Sequence, residues 1–225
     1  MIPLRARYQH YLDELHGDVV RLGEKVHLAW ERTLKSMDTG NVVLAGWVID
    51  NDREIDDSRR YLEERAITML ATQQPIVGHD LRLLATVSTL AGELERIGDY
   101  ARSVARRVRL HPNLLQRTLG NDPQWARMTE LARYMVQICM DALLAQNTEL
   151  AMQLAELENE VDTLRHTLRG RVIEQMRADP SLLDVGIEML EIITVLERTA
   201  DRTTNIGENI IFLVEGEYKL LNPDG

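Results

Sequence analysis

Two acidic motifs recur along this chain at a nearly fixed distance, and that duplication constrains the fold more than any other feature. Asp52-Arg-Glu-Ile-Asp56 reappears as Glu158-Asn-Glu-Val-Asp162, 106 residues further on. The same displacement carries Asn41 onto Asn147, Leu44-Ala45 onto Leu150-Ala151 and Ala66-Ile67 onto Val172-Ile173. Leu94-Glu-Arg-Ile-Gly-Asp99 matches Leu196-Glu-Arg-Thr-Ala-Asp201 at a displacement of 102. The four-residue difference falls in a connection, where a change of length costs little. A long fixed period of this kind marks a chain built from two copies of one structural unit.

Each unit reads as helical. Apolar residues recur at helical spacing in nearly every window, and none alternates as a strand would. Aromatic residues make up only 4% of the chain, which argues against a β-sandwich or barrel. The pattern predicts six long helices, at Leu4–Lys35, Val42–Thr72, Asp80–Leu110, Gln124–Ala145, Thr148–Arg177 and Ser181–Glu217. Proline and glycine punctuate the breaks at 73–78, 111–123 and 179–180. Asn41 and Asn147 each precede a helical pattern, where an Asn side chain can cap free N–H groups. The expected architecture is all-α: two tandem three-helix bundles at 1–111 and 122–225, joined by a linker at 112–121. Helices of this length suit an elongated bundle.

Charge narrows the function. The net charge of −10 makes nucleic acid a poor partner, because phosphate neutralisation supplies most of that affinity. It disfavours direct binding to an anionic membrane surface for the same reason. No apolar run approaches the roughly 20 residues needed to span a bilayer. The opening residues lack a secretory core, so the expectation is a cytoplasmic protein. The lone Cys139 excludes an internal disulfide and, among Val136, Ile138 and Met140, reads as a small core residue.

An acidic pair at i, i+4 is weak evidence alone. With 36 acids in 225 residues, random placement gives roughly six such pairs. Here the pairs recur at equivalent positions of two units that have otherwise diverged, and on two helices of each. Like charges at this spacing cost a few tenths of a kcal/mol in an isolated helix, so a compensating partner is expected. With Glu197 at the origin of a helical wheel, Asp201 falls at about 40° and Glu208 at about 20°. Both lie just outside the apolar stripe of Val195, Leu196, Ile206, Ile210, Ile211 and Val214. Antiparallel packing would let the second and third helices of a unit face their acids across a groove. Asp52, Asp56, Glu95 and Asp99 would then converge in the first unit, and Glu158, Asp162, Glu197 and Asp201 in the second.

Two cations could answer such a cluster. One is arginine, with Arg96 and Arg198 directly after the glutamates and Arg53, Arg102 and Arg202 close by. The other is a metal ion, and an all-oxygen donor set suits magnesium, calcium, manganese or iron better than zinc. The residues alone leave both open. Glu24-Lys-Val-His27 has the Glu-x-x-His spacing of a di-iron element, but with Asp13-Glu-Leu-His16 it sits on one helix, and no other helix supplies a match. The other histidines show no ligand spacing. There is no Gly-rich phosphate loop, and no serine or cysteine has partners spaced as a nucleophile needs. Gly98 and Gly207, inside helical patterns, read as points of close helix packing.

With Leu94-Glu-Arg-Ile-Gly-Asp-Tyr-Ala-Arg-Ser-Val-Ala and Leu196-Glu-Arg-Thr-Ala-Asp-Arg-Thr-Thr-Asn-Ile-Gly, the chain resembles the PhoU family over nearly its whole length. The resemblance implies two three-helix bundles side by side, and a binding adaptor with no catalysis of its own. It implies a negative regulator of the phosphate-starvation response that couples the nucleotide-binding subunit of the phosphate ABC transporter to a sensor histidine kinase. Contact with the membrane would then be only through partners. The resemblance further implies metal, with iron and zinc in some members, at Asp52, Asp56, Glu95, Asp99, Glu158, Asp162, Glu197 and Asp201. Three departures bear on the clusters: the first motif starts with Asp52 rather than Glu, Ser103 stands where the second unit has Asn205, and Tyr100 and Arg202 occupy a position where the family often has His. A carboxylate-bridged metal oxidase or hydrolase is the rival class, and a metal-free helical adaptor whose acids are paired by arginines is a third. The enzyme would need histidine and open coordination positions near the acids. Homodimerisation through leftover apolar edges stays open.

Overall fold

The computed structural model describes residues 4–72, 76 and 78–221. It is all-α, with no strand among the described residues. The helices are α1 (Leu4–Thr39), α2 (Val42–Thr72), α3 (His79–Leu110), α4 (Leu114–Arg117), α5 (Pro123–Ala145), α6 (Thr148–Ala178) and α7 (Leu183–Glu215), with a 3₁₀ turn at Pro180–Leu182. Of the predicted break at 73–78, only Ile76 and Gly78 lie among the described residues.

The duplicated sequence makes duplicated structure down to single hydrogen bonds. Asn41 accepts from the N–H groups of Val43 and Leu44, at 3.0 and 3.1 Å. Asn147 accepts from Glu149 and Leu150, at 2.9 and 3.1 Å. Both cap the second helix of their unit, as the sequence predicts. The residue just before each cap is left-handed, Gly40 at φ 65° and Gln146 at φ 48°. A backbone turned this way releases the chain from the preceding helix.

These two equivalent positions should respond in opposite senses to substitution. A Cβ at Gly40 would stand 2.7 Å from the Pro112 carbonyl oxygen, on a backbone that L side chains resist. Gly40→Ala is expected to cost about 2 kcal/mol or more. Gln146→Gly relieves the strain of a left-handed side-chain residue and should stabilise by about 0.5 kcal/mol. Denaturant unfolding of both variants measures the two signs.

Helices α1, α2 and α3 pack on one another, as do α5, α6 and α7. The two units meet where α3 runs antiparallel to α7 and α1 lies against α5. Leu94, Ile97, Ala101 and Val104 of α3 are buried, as are Leu196, Ile206 and Ile210 of α7. Polar contacts at three levels fix the α3–α7 direction. Arg82 donates to the Leu213 carbonyl at 3.2 Å, Arg202 pairs with Glu93 at 3.1 Å, and Arg107 pairs with Glu188 at 2.9 Å. The two third helices thus form the seam, with α2 and α6 on the outer flanks.

The expected linker is folded into this body. Leu114 and Leu115 of α4, and Leu119 after it, are buried. Gln116 donates to the Asp38 carbonyl of the first unit at 3.2 Å, and Gln175 of the second donates to the Thr118 carbonyl at 3.0 Å. The junction is therefore tied to both bundles. At the far end α7 stops at Gly216, φ 82°, and the tail turns back. Tyr218 stacks on Phe212, and the Leu221 N–H donates to Glu208 at 2.8 Å. A Cβ at Gly98 would lie 3.0 Å from Ile55, and one at Gly207 3.0 Å from Leu154. Both glycines therefore mark close helix approach, as their place in the pattern suggests.

Candidate functional site

In each unit the second and third helices bring their acidic edges together. In the first, α2 supplies Asp52 and Asp56 and α3 supplies Glu95 and Asp99. Burial raises the Asp52 carboxyl above its usual range; the Arg102 guanidinium opposes that, and the charges of Asp56 and Asp99 add to it. Glu95 is raised by burial, then by Asp99, with Arg59 acting against them and Asp56 adding a little more. Asp52 and Glu95 thus both feel Asp56 and Asp99, which places the four acids near one another as the helical wheel suggests.

Arginines are interleaved with these acids. One Nη of Arg102 hydrogen-bonds Asp52 on α2 and the other Asp99 on α3, so a single guanidinium bridges the two helices. Charge-assisted pairs of this forked kind are among the stronger hydrogen bonds. The Asp52 side chain is only 6% exposed and that of Arg102 27%. Arg59 pairs with Glu95 at 3.2 Å and with Glu63 at 3.0 Å.

The second cluster has Thr204 where the first has Arg102. Arg165 pairs with Glu197 at 3.0 Å and approaches Asp162 at 3.8 Å. Glu158 is 4% exposed. Burial raises Glu197, with Arg165 opposing and Asp162 adding to it. Asp201 is pushed up to about 7, first by burial, then by the Glu197 charge, by a hydrogen bond shared with Glu158, and by the Glu158 and Asp162 charges. The Arg198 charge also opposes the rise at Glu197. Burial is the first cause of the Asp201 shift, and the neighbouring carboxylates add to it.

The donor set of the second cluster is all carboxylate oxygen, the chemistry that hard cations take. Among the described residues, no three His, Cys, Asp or Glu side chains are gathered closely enough to hold an ion as they stand. Coordination there needs side-chain rotation within the cluster. In the first cluster one oxygen of Asp52 and one of Asp99 are already committed to Arg102.

Three features of the site escape the sequence reading. Arg59 and Arg165, equivalent at the 106-residue displacement, make equivalent pairs with Glu95 and Glu197. That shared displacement was the available signal. Arg96 and Arg198, the arginines adjacent to the glutamates, are exposed instead, because neighbours on a helix point about 100° apart. Arg202 reaches into the other unit, to Glu93, which Asn205 also approaches at 3.4 Å. The two spaced histidines lie elsewhere: His16 bonds the Leu143 carbonyl at 3.2 Å, and His27 lines a groove between α1 and α5. Cys139 is fully buried, and burial pushes its thiol well above the usual range, as a core residue requires.

The helical repeat is matched in known proteins. The PhoU domain profile matches residues 19–108 and 126–210, one copy on each unit. The chain belongs to the PhoU domain family. A Clostridium acetobutylicum relative, described as a phosphate-specific transport system accessory protein PhoU homolog, is 27% identical over 97% of this chain and 99% of its own. A Zymomonas mobilis protein of the same description is 29% identical over 92% of this chain and 86% of its own. The crystal structure of PhoU from Pseudomonas aeruginosa superposes with a TM-score of 0.85 at 27% identity, covering 93% of this chain and all of that one. The phosphate transport system regulatory protein PhoU from Streptococcus pneumoniae, at 24% identity and a TM-score of 0.82, shares the fold.

Proposed function

We propose that this chain is an accessory protein of a phosphate-specific transport system. It acts in the cytoplasm as a negative regulator of the phosphate-starvation response and works by binding rather than catalysis. The observation that carries this reading is the end-to-end match of both units to proteins described as phosphate-specific transport system accessory proteins. No helix among the described residues is long and apolar enough to cross a membrane. Its partners on this reading are the nucleotide-binding subunit of the phosphate ABC transporter and the cytoplasmic part of a sensor histidine kinase.

The architecture suits such a role physically. Long helices locked at the α3–α7 seam present a stiff surface with two distinct flanks. A partner shifts a conformational equilibrium only by binding its states with different affinity. A stiff adaptor that prefers one transporter conformation would therefore pass that preference to the kinase. The acidic motifs bind metal on this reading, foremost through Glu158, Asp162, Glu197 and Asp201. A bound hard cation such as manganese, magnesium or iron would offset their mutual repulsion and stiffen the α6–α7 pair.

The test is direct binding. The purified chain, immobilised, should bind the nucleotide-binding subunit from its own host, with an affinity that changes between the nucleotide-free and ATP-bound subunit. No binding to the subunit in either state, or to the kinase, would reject the adaptor reading.

A further inference from the structure

The two acidic clusters correspond residue by residue until position 102. Asp52 matches Glu158, Asp56 matches Asp162, Arg59 matches Arg165, Glu95 matches Glu197 and Asp99 matches Asp201. Arg102 corresponds to Thr204. The Thr204 hydroxyl donates back to the Ala200 carbonyl of its own helix at 3.2 Å and brings no charge. The first cluster therefore holds a guanidinium at a position where the second has none.

We propose that Arg102 is a resident counter-cation that closes the first cluster to divalent metal, so that the two pseudo-equivalent clusters have different functions. The proposal rests on the reading above that the second cluster takes metal. Both terminal nitrogens of Arg102 are spent on Asp52 and Asp99. A metal ion joining α2 to α3 would compete for those same two carboxylates, and a dication a few ångströms from a fixed guanidinium is strongly disfavoured in a half-buried site. Arg102 also does structurally what a metal would do, tying α2 to α3. In the second unit Arg165 ties α6 to α7, and an added cation would reinforce that tie. Metal occupancy would then stiffen one unit only, and residues 102 and 204 decide which.

The experiment uses full-length, chelator-stripped chain and Mn²⁺ as the probe. Asp162→Asn with Asp201→Asn disables the second cluster. In that background Arg102→Thr should bind Mn²⁺ by calorimetry at least about tenfold more tightly than the same chain with Arg102 in place. Mn²⁺ should also raise its unfolding midpoint. Equal binding with and without Arg102 would overturn the proposal. Circular dichroism checks the fold; if Arg102→Thr fails it, Arg102→Gln removes the charge while keeping a donor, and the same comparison applies. The two readings fail separately. An otherwise unaltered chain that binds no Mn²⁺, beside an Arg102→Thr chain that does, rejects metal at the second cluster and leaves Arg102 as the closure. Binding by the unaltered chain with no gain on removing Arg102 does the reverse.

Discussion

Arg102→Ala is expected to destabilise metal-free protein by about 3 kcal/mol at pH 8, because removing one partner of a buried ion pair leaves the other charge uncompensated. The loss falls on Asp52, whose side chain is 6% exposed. Asp99, more exposed, contributes less. For a chain of this size that corresponds to a fall of roughly 6–12 °C in the unfolding midpoint. The loss should shrink as pH falls. Burial already holds Asp52 above its ordinary range, and without Arg102 opposing it the carboxyl protonates still more readily. A neutral Asp52 then needs no counter-ion. Unfolding at pH 8 and pH 5 should show the larger penalty at pH 8. A penalty that does not depend on pH would mean that Arg102 contributes packing alone.

Asp201→Asn should have the opposite effect on stability in metal-free protein. Its folded pKa of about 7 lies above the ordinary value of 3.8. The folded state therefore binds more protons than the unfolded one between those two values, and the wild-type chain loses stability as pH rises through that window. Below about pH 4 both states hold the proton, and no penalty exists. Above pH 7 the penalty is complete. Allowing for the screening that partial exposure brings, it amounts to about 2 kcal/mol. The amide that replaces the carboxyl carries no such penalty and keeps a donor for Glu158. The variant should be more stable than wild type at pH 8, equal near pH 4, and flatter between. The same substitution should weaken Mn²⁺ binding, since it removes a carboxylate from the second cluster. Gain in stability together with loss of metal is the pattern expected of a binding site, where repulsion is retained for function.

Much of the fold was legible because it depends on periodicity and on local chemistry that survived duplication. Helix bounds, the Asn41 and Asn147 caps and the close packing at Gly98 and Gly207 follow from neighbours in sequence. The α4 turn was not legible: Leu114, Leu115 and Leu119 lie between Pro112 and Gly120, and turn residues outweigh so short an apolar set. The eight carboxylates were found by their duplication, and the structure gathers them into two clusters. Their arginine partners were harder to see. Arg59 and Arg165 read as ordinary charged residues on a solvated face, and only the distant glutamates on the next helix give them a role. Glu93 and Arg202 are 109 residues apart and belong to different units, so no local pattern joins them.

The most direct test of the central claim is chromosomal deletion in the chain's own host, read as expression of phosphate-scavenging genes at high phosphate. The account predicts derepression despite abundant phosphate, reversed by the wild-type gene supplied in trans. Unchanged, fully repressed expression in the deletion strain would contradict it.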